Sequence, residues 1–363
     1  MPQRDTLLRL VEAGLAAPSA ENRHALRFEA AAQTLDLVAT DHAGWREQPH
    51  KAWLARLAAG AVVENIRLAA ATEGLRAETR WLPDADRPEH LARLHWHPAG
   101  VAGADALAAQ IAQRHTNRRF YRRERLAPDV LHSLSQALEG LPGLRLAWLD
   151  AAAARRPALA AITGAEAERF CRRRLHEELF AGVRFERGWT GSVDEGLPPA
   201  ALEIEPPMRA GFALMRHWPV MRGLAAVGAH RLLAQRAARL PCALAPHLGL
   251  LVADSRSAVA TLQAGRGLQR VWLAATAAGA AFQPMAAATA LALQRPGDGW
   301  VSARGQQALQ RRLDTLMDRL GLPDAAPVMF FRLGRAAAPS AVTGRTPAAG
   351  HLVLLDPALP RAA

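Results

Sequence analysis

Residues 59–79, AGAVVENIRLAAATEGLRAET, align without a gap with residues 264–284, AGRGLQRVWLAATAAGAAFQP. Both segments are alanine-rich and helical in pattern, and both reach a glycine, Gly74 or Gly279, that can end a helix in the left-handed conformation before an extended stretch. The identical pairs are Ala59/Ala264, Gly60/Gly265, Leu68/Leu273, Ala69/Ala274, Ala70/Ala275 and Gly74/Gly279. Two alanine-rich helices can match by composition alone, but composition does not place a matching glycine at both ends. The alignment therefore predicts an internal duplication.

The length of 363 residues suggests two domains or two fused repeats, and the composition is that of a globular chain. The formal charge is +12, yet Lys51 is the only lysine among the 45 basic residues. These basic residues are scattered along the chain, whereas a nucleic-acid-binding face needs them clustered. The sequence therefore predicts no nucleic-acid partner.

The cysteines and the apolar segments indicate the compartment. Cys171 and Cys242 form no CxxC pattern, which predicts neither a disulfide framework nor a metal site. The first residues lack the apolar core of a signal peptide. Residues 271–293 are uncharged, but they are mostly alanine and are interrupted at Gln283 and Pro284. We therefore expect a cytoplasmic protein with no membrane partner.

The hydrophobic pattern alternates helices and short strands along the chain. Helices are predicted at about 4–16, 52–74, 100–113, 128–138, 151–180, 259–279 and 302–320. Strands are predicted at 26–28, 35–39, 77–82, 91–95, 144–149, 248–253 and 327–333. Residues 182–222 contain too many helix breakers for one regular element.

Residues 114–120, RHTNRRF, precede a helix that starts near Pro128. Arg114, Thr116 and Arg118 stand at alternate positions, so in an extended loop they project to the same side and can converge on one phosphate. The alternative is a solvated basic loop. The segment resembles the R-R-S-x-R-x-F motif of nitroreductases, with His115 and Thr116 replacing the second arginine and the serine.

Residues 17–28, APSAENRHALRF, resemble the A-P-S-x-x-N-x-Q-P-W-x-F motif of the same family. Pro18, Ser19 and Asn22 match this motif, whereas residues 24–26 depart from it. The resemblance implies that this loop reaches a flavin held by the other half of the dimer. The alternative is an ordinary turn that ends a helix, since Pro, Ser and Asn are common turn residues.

A third segment, residues 331–335 (FRLGR) followed by TGR at 343–345, is similar to the second phosphate-binding element of nitroreductases. Arg345 is the candidate phosphate ligand and Arg335 the second choice; the alternative is surface arginines on a tail. The resemblance also places Pro284 and the backbone N–H groups from Met285 onward near N5 of the flavin, where a backbone donor would tune hydride transfer.

The order of the segments resembles the Acg-type fused nitroreductases, which carry two nitroreductase-like halves in one chain. The Pro-Ser loop lies in the first half, and the Arg-rich loop opens the second, so one composite site is expected. The implied halves are residues 1–113 and 114–346, with a possible lid at 182–222 and a tail at 347–363. In that lid, Trp189, Trp218, Met208, Met215 and Met221 are candidates to cover the flavin; alternatively, residues 212–221 form a helix that fills the core.

The resemblance implies an FMN-dependent oxidoreductase that passes hydride from NAD(P)H to a quinone, a nitroaromatic or a similar small-molecule oxidant. It implies an α+β fold, with a central antiparallel-rich sheet flanked by helices. It also implies a monomeric pseudo-dimer whose repeats are related by a pseudo-twofold axis. It assigns no catalytic side chain, and no metal site is expected. One alternative is a protein that sequesters FMN beneath a lid with little turnover, and another is a basic nucleic-acid-binding protein.

Overall fold

The computed structural model describes residues 2–100, 105–295 and 297–355, and it confirms the α+β class. The N-terminal part of the chain forms a first unit of two helices and four strands. In chain order they are α1 (Arg4–Leu15), β1 (Leu26–Ala31), β2 (Thr34–Ala39), α2 (Pro49–Thr72), β3 (Leu75–Trp81) and β4 (His90–Pro98).

The second unit follows, with most of its extra helices between its first two strands. In chain order the elements are α3 (Pro128–Gln136), β5 (Leu144–Trp148), α4 (Ala152–Cys171), α5 (Arg173–Ala181), α6 (Arg209–Met215), α7 (Trp218–Ala226), α8 (Ala229–Ala234), α9 (Leu240–Leu244), β6 (His247–Ala253), α10 (Ala258–Ala277), β7 (Ala281–Met285), α11 (Ala287–Leu291), α12 (Ala303–Arg319), β8 (Ala326–Gly334) and β9 (Leu352–Leu354). Residues 149–246, between β5 and β6, are called the insert below.

The strands form two sheets rather than one continuous sheet. The strand order is β3-β4-β2-β1-β9 in the first sheet and β5-β6-β8-β7 in the second. If β1 to β4 are matched with β5 to β8, both units have the same strand order, and α2 and α10 occupy the same place in the chain. The last strand, β9, leaves the second unit and pairs in parallel with β1, with Phe28 opposite Leu352.

The two units meet where α2 crosses α10. A Cβ atom on Gly60 would overlap the carbonyl oxygen of Leu262 and lie 3.0 Å from the Cα of Gly265. A Cβ on Gly265 would in turn overlap the carbonyl oxygen of Leu57 and lie 3.0 Å from the Cα of Gly60. The contact is therefore reciprocal, and both pairs (Gly60/Gly265 and Leu57/Leu262) keep the spacing of the sequence alignment.

Buried polar contacts fix the rotation of the two helices at this crossing. Gln269 donates to the Asn65 side chain (2.7 Å), and Asn65 donates to the Ala13 carbonyl of α1 (2.7 Å). The buried Glu64 carboxylate binds both Arg266 (2.7 Å) and Arg270 (2.9 Å). Because each of these side chains loses solvent, a shifted crossing would leave polar groups without partners.

Two predicted helices differ from the structure. In place of a helix at 100–113 there is a short 3-10 helix, Ala106–Gln110, and residues 101–104 lie outside the described ranges. The helix predicted at about 151–180 is divided at Arg172, whose backbone is extended (φ −106°, ψ 123°). The Glu168 carboxylate accepts hydrogen bonds from both Arg172 and the Ser302 N–H at the start of α12, a tertiary contact that the local pattern does not contain.

Other elements were predicted only in part or not at all. An extended stretch was expected after Gly279 without bounds for β7, no strand was predicted for β9, and no helix was predicted for α8 or α9. β9 is only three residues long, too short for a periodic pattern, and it forms because β1 offers an open edge. Within the described ranges, no helix is long and apolar enough to span a bilayer.

The glycine crossing makes a prediction for stability. Gly265→Ala should lower the free energy of unfolding by about 3 kcal/mol, because the added methyl group forces two backbones apart. Gly223→Ala in α7 is the matched control, since a Cβ there meets nothing within 4 Å. The control should be neutral or stabilising by up to ~1 kcal/mol, as expected for alanine in a helix. Urea denaturation of the two variants checks this, and equal effects would contradict the close crossing.

Candidate functional site

The loop between α1 and β1 is shaped by a proline and an unusual backbone. Pro18 follows α1, where it blocks continuation of the helix. Asn22 has a φ of 55°, in the left-handed region that asparagine tolerates better than most residues. Its side-chain amide donates to the carbonyls of Asp194 (3.1 Å) and Gly344 (3.2 Å). The loop thereby joins the insert to the residues between β8 and β9, called the C-terminal segment below.

The segment 114–120 is held against the second sheet. The Asn117 N–H donates to the Phe282 carbonyl on β7 (3.0 Å), and its side-chain amide donates to the Ala337 carbonyl (2.8 Å). The Tyr121 hydroxyl donates to the Asn117 carbonyl (2.7 Å). With this anchor, the buried Arg114 lies 4.4 Å from the Trp272 ring and donates to the Ala16 carbonyl (3.1 Å).

Arg345 reaches the same loop from the C-terminal segment. Its Nη2 donates to the Ala16 carbonyl (3.3 Å), and its Nε donates to the Leu15 carbonyl (2.8 Å). Its Nη1 donates to the Asn22 side-chain oxygen (2.6 Å). Arg114 and Arg345 therefore converge on one carbonyl oxygen of the first unit, although they are far apart in sequence.

Arg114 and Arg345, with Arg118 of the same segment as Arg114, are called the cluster below; Arg114 is buried, and Arg118 and Arg345 are half-buried. Burial lowers the pKa of Arg114 to about 9, and the nearby charge of Arg345 adds to the effect. Burial likewise lowers the pKa of Arg118 and of Arg345 to about 10. Among the described residues, none of the three forms an ion pair with a carboxylate; their hydrogen bonds go to backbone carbonyls and neutral side chains. Unpaired buried charge is costly, so the cluster is suited to an anion.

Some polar atoms of the cluster have no partner. The Arg114 Nε and the Ser19 Oγ are both buried without a hydrogen bond to any described residue. A phosphate oxygen can accept from a guanidinium, so the Arg114 Nε fits a phosphorylated ligand, and the Ser19 hydroxyl is a separate donor in the loop after α1. Arg345 differs, because each of its three nitrogens is already bonded, and it would contribute charge more than a free donor.

The structure does not bring every predicted residue to this point. Arg118 donates to the Ala201 carbonyl of the insert (3.2 Å) rather than to the loop after α1. Thr116 is half-buried, with no hydrogen bond in the structure, and Pro18 is half-buried in the loop. The side chain of Arg335, the second choice for a phosphate ligand, is exposed, and only its carbonyl is used, by the Arg122 N–H.

Pro284 and Met285 lie on β7, the edge strand of the second sheet, where a proline costs no ladder bond. The Phe282 carbonyl points away from β8 and accepts the Asn117 N–H. Because backbone groups point alternately to the two sides of a strand, the Pro284 carbonyl and the Ala286 N–H also point away from β8. Met285 then turns its N–H toward Phe330 of β8. Of the backbone donors predicted from Met285 onward, the outward one nearest Pro284 is therefore Ala286.

The insert covers the cluster mainly with backbone. The Asp194 and Ala201 carbonyls accept from Asn22 and Arg118, and the Val193 carbonyl accepts from the Gly344 N–H (2.8 Å). The apolar lid candidates lie elsewhere. Met208 is exposed and Met221 is buried, while Trp189 packs on Phe212 and Trp218 on His176, within the insert itself. Residues 212–221 are divided between α6 and α7, because Pro219 follows a break at His217.

Arg332 was not among the site residues predicted from the sequence. Its side chain is fully buried; its Nε donates to the Gln283 side chain (2.7 Å), and its guanidinium lies 4.0 Å from the Tyr121 ring. Its two Nη atoms are buried without a partner among the described residues. An arginine flanked by Phe331 and Leu333 in an apolar strand was the available signal, since buried arginines are rare unless paired. Within the described ranges there is no group of three potential metal ligands.

Solved structures with a similar arrangement are nitroreductases, the family that the sequence motifs resemble. They include the FMN-dependent NfnB of Mycobacterium smegmatis (19% identity, 70% of this chain and 92% of that chain, TM-score 0.35) and a nitroreductase with bound FMN from Bacteroides fragilis (12%, 69% and 100%, 0.38). A third, also with bound FMN, is from Desulfitobacterium hafniense (16%, 66% and 94%, 0.33). No family model and no curated protein matches the chain. At these identities and scores, the chemistry has to be inferred from the residues of this chain.

The loop after α1 makes a pH prediction through His24. Burial lowers the pKa of His24 to about 3, and its Nδ1 is buried without a partner. The unfolded chain takes up this proton near pH ~6.5, so the stability due to the neutral ring is present above that pH and is lost as the pH falls toward 3. His24→Gln should reduce this loss, by less than ~1.4 kcal/mol per pH unit because the ring is only half-buried.

Urea unfolding from pH 7 to pH 4.5 provides the measurement. His132→Gln, at an exposed position of α3, is the control and should keep the pH dependence of the unaltered protein. If the two variants lose stability at the same rate on acidification, the neutral burial of His24 is wrong.

Proposed function

We propose that this chain is a single-chain, FMN-dependent oxidoreductase of the nitroreductase type with one composite flavin site. The observation that carries the proposal is the convergence of two unpaired guanidiniums, Arg114 and Arg345, on the Ala16 carbonyl. The second unit and the C-terminal segment thereby meet the loop of the first unit. The resemblance to nitroreductases implies such a meeting around one FMN, with the arginines at its phosphate and Pro18, Ser19 and Asn22 approaching from the first unit.

The residues fit FMN in two respects. Arg114, Thr116 and Arg118 would bind the phosphate, and Arg345 would add positive charge while holding the loop in place. Ser19 and Asn22 would approach the flavin ring from the first unit. Bound FMN would supply the capacity to accept a hydride from NAD(P)H and to pass it to an oxidant such as a quinone or a nitroaromatic. The outward Ala286 N–H on the open edge of β7 would donate a hydrogen bond to the ring.

Two observations support a pseudo-dimer within one chain. The two units share a strand order, and the aligned glycines Gly60 and Gly265 meet reciprocally at the helix crossing. In a twofold arrangement, equivalent residues contact each other across the axis, which is the pattern found here. The loop after α3, which corresponds to the loop after α1, contains no Pro-Ser-x-x-Asn sequence. We therefore infer one site per chain and a functional monomer.

The position of the insert favours a second candidate, a protein that sequesters FMN and turns it over slowly. The insert is hydrogen-bonded to Asn22, Arg118 and Gly344 and so closes the site from one side. Stopped-flow mixing with NADPH separates the two functions. Bleaching of the flavin absorbance within seconds, followed by recovery on adding a quinone, supports the oxidoreductase. Bound flavin that stays oxidised for minutes supports sequestration instead.

Arg118→Ala should weaken FMN binding about 10- to 100-fold, because a charge-assisted hydrogen bond to a phosphate is worth ~1.5–3 kcal/mol. Quenching of FMN fluorescence during titration into the apoprotein measures the dissociation constant. Arg311→Ala is the matched control, since this arginine is exposed on α12. Thermal unfolding without FMN should show both variants folded.

Unchanged FMN affinity in Arg118→Ala would overturn the phosphate assignment. A colourless purified protein that also fails to bind added FMN would overturn the proposed function as a whole. The absorption spectrum of the purified protein is therefore the first measurement to make.

A further inference from the structure

The outer helices of the insert carry an unusual distribution of charge. Residues 206–246 contain six arginines and no aspartate or glutamate, whereas the whole chain has 33 acidic residues. This part of the chain forms α6 to α9. Its charge is therefore a local asymmetry, beyond the general preference of this chain for arginine over lysine.

The same helices expose large apolar side chains. Val227 is 81% exposed and Leu232 is 73% exposed. The exposed apolar residues of this region are Met208, Leu214, Val220, Val227, Leu232 and Leu240. Because α6 packs on α7 and α7 on α8, these side chains and the arginines belong to one packed part of the molecule, called the insert surface below.

Three arginines of the insert surface have no protein partner. Arg222, Arg231 and Arg239 are exposed, and their side chains form no hydrogen bond or ion pair with the described residues. Arg236 instead pairs with Glu205, just outside the acid-free stretch. The unpaired arginines are therefore available to an external anionic partner.

Two Arg-Leu pairs show how the surface is built. Arg231-Leu232 and Arg239-Leu240 are eight residues apart on a continuous helical segment made of α8, a π-helical turn (Gln235–Arg239) and α9. Eight residues make about two turns, so the pairs lie on the same side of the segment, ~12 Å apart. Each pair presents a leucine beside a guanidinium, as in helices that lie in the interface of a bilayer.

We propose that the insert surface docks peripherally on a bilayer of anionic phospholipid, with its leucines and valines in the headgroup region and its free arginines on lipid phosphates. A second copy of this chain fits less well, because a twofold contact through this surface would bring like charges together. Nucleic acid fits less well, because the exposed valines and leucines would stay in water against the phosphates of a duplex. The sequence predicted no membrane partner because it contains no span, whereas this surface depends on which residues the fold exposes.

Flotation with vesicles tests the proposal on the full chain. The protein should float with phosphatidylcholine vesicles that contain about 30% phosphatidylglycerol, and it should remain at the bottom with pure phosphatidylcholine. High salt should weaken the binding, since part of it is electrostatic. Substituting Arg231→Gln and Arg239→Gln together should lower the partition coefficient roughly 30-fold. Val227→Ser with Leu232→Ser should lower it while leaving the salt dependence in place.

The matched control is Arg304→Gln with Arg311→Gln, two exposed arginines of α12, which should keep the original affinity. Thermal unfolding confirms that the variants are folded. Equal flotation with neutral and anionic vesicles, or an equal loss in the control, overturns the proposal. A concentration-dependent dimer that Val227→Ser with Leu232→Ser abolishes would also overturn it and would assign the surface to self-association. A shift of duplex DNA without vesicle binding would overturn it as well.

Discussion

The close contact between α2 and α10 is the constraint on which the rest of the structure depends. Gly60 and Gly265 let two backbones approach to a separation that any side chain would prevent. This separation sets the distance between the two units and therefore the distance between the loop after α1 and the segment 114–120. The buried contacts of Glu64 and Asn65 then fix the rotation of the helices, because at a different angle these polar groups would be buried without hydrogen-bond partners.

Charge shapes the region that this crossing brings together. Guanidiniums without carboxylates gather where two units, the insert and the C-terminal segment meet, and each satisfies part of its hydrogen bonding with backbone carbonyls. Backbone carbonyls stabilise a guanidinium without neutralising it, so a net positive potential remains in a poorly solvated place. Such a potential is unfavourable for the isolated protein and favourable for binding a phosphate. Arg332, buried against Tyr121, extends this potential into the second sheet.

The insert has two faces with different roles. Its residues near 192–203 accept hydrogen bonds from Asn22 and Arg118, whereas its outer helices turn exposed arginines and aliphatic side chains to solvent. Both faces are formed by one stretch of chain, the insert between β5 and β6. The insert is placed between the first two strands of the second unit, so it enlarges the molecule without disturbing the strand order that the two units share.

The sequence by itself determined most helices and strands and the repeated spacing that pairs Gly60 with Gly265. These follow from local periodicity, turn residues and repeated spacing, all of which a linear pattern records. Only the tertiary structure decided that Arg118 bonds to the insert, that Arg345 is fully engaged, that Arg332 is buried without a carboxylate, and that β9 joins the first sheet. Partner choice and burial depend on which distant segments meet, and a free strand edge or an unpaired charge becomes visible only when every neighbour is in place.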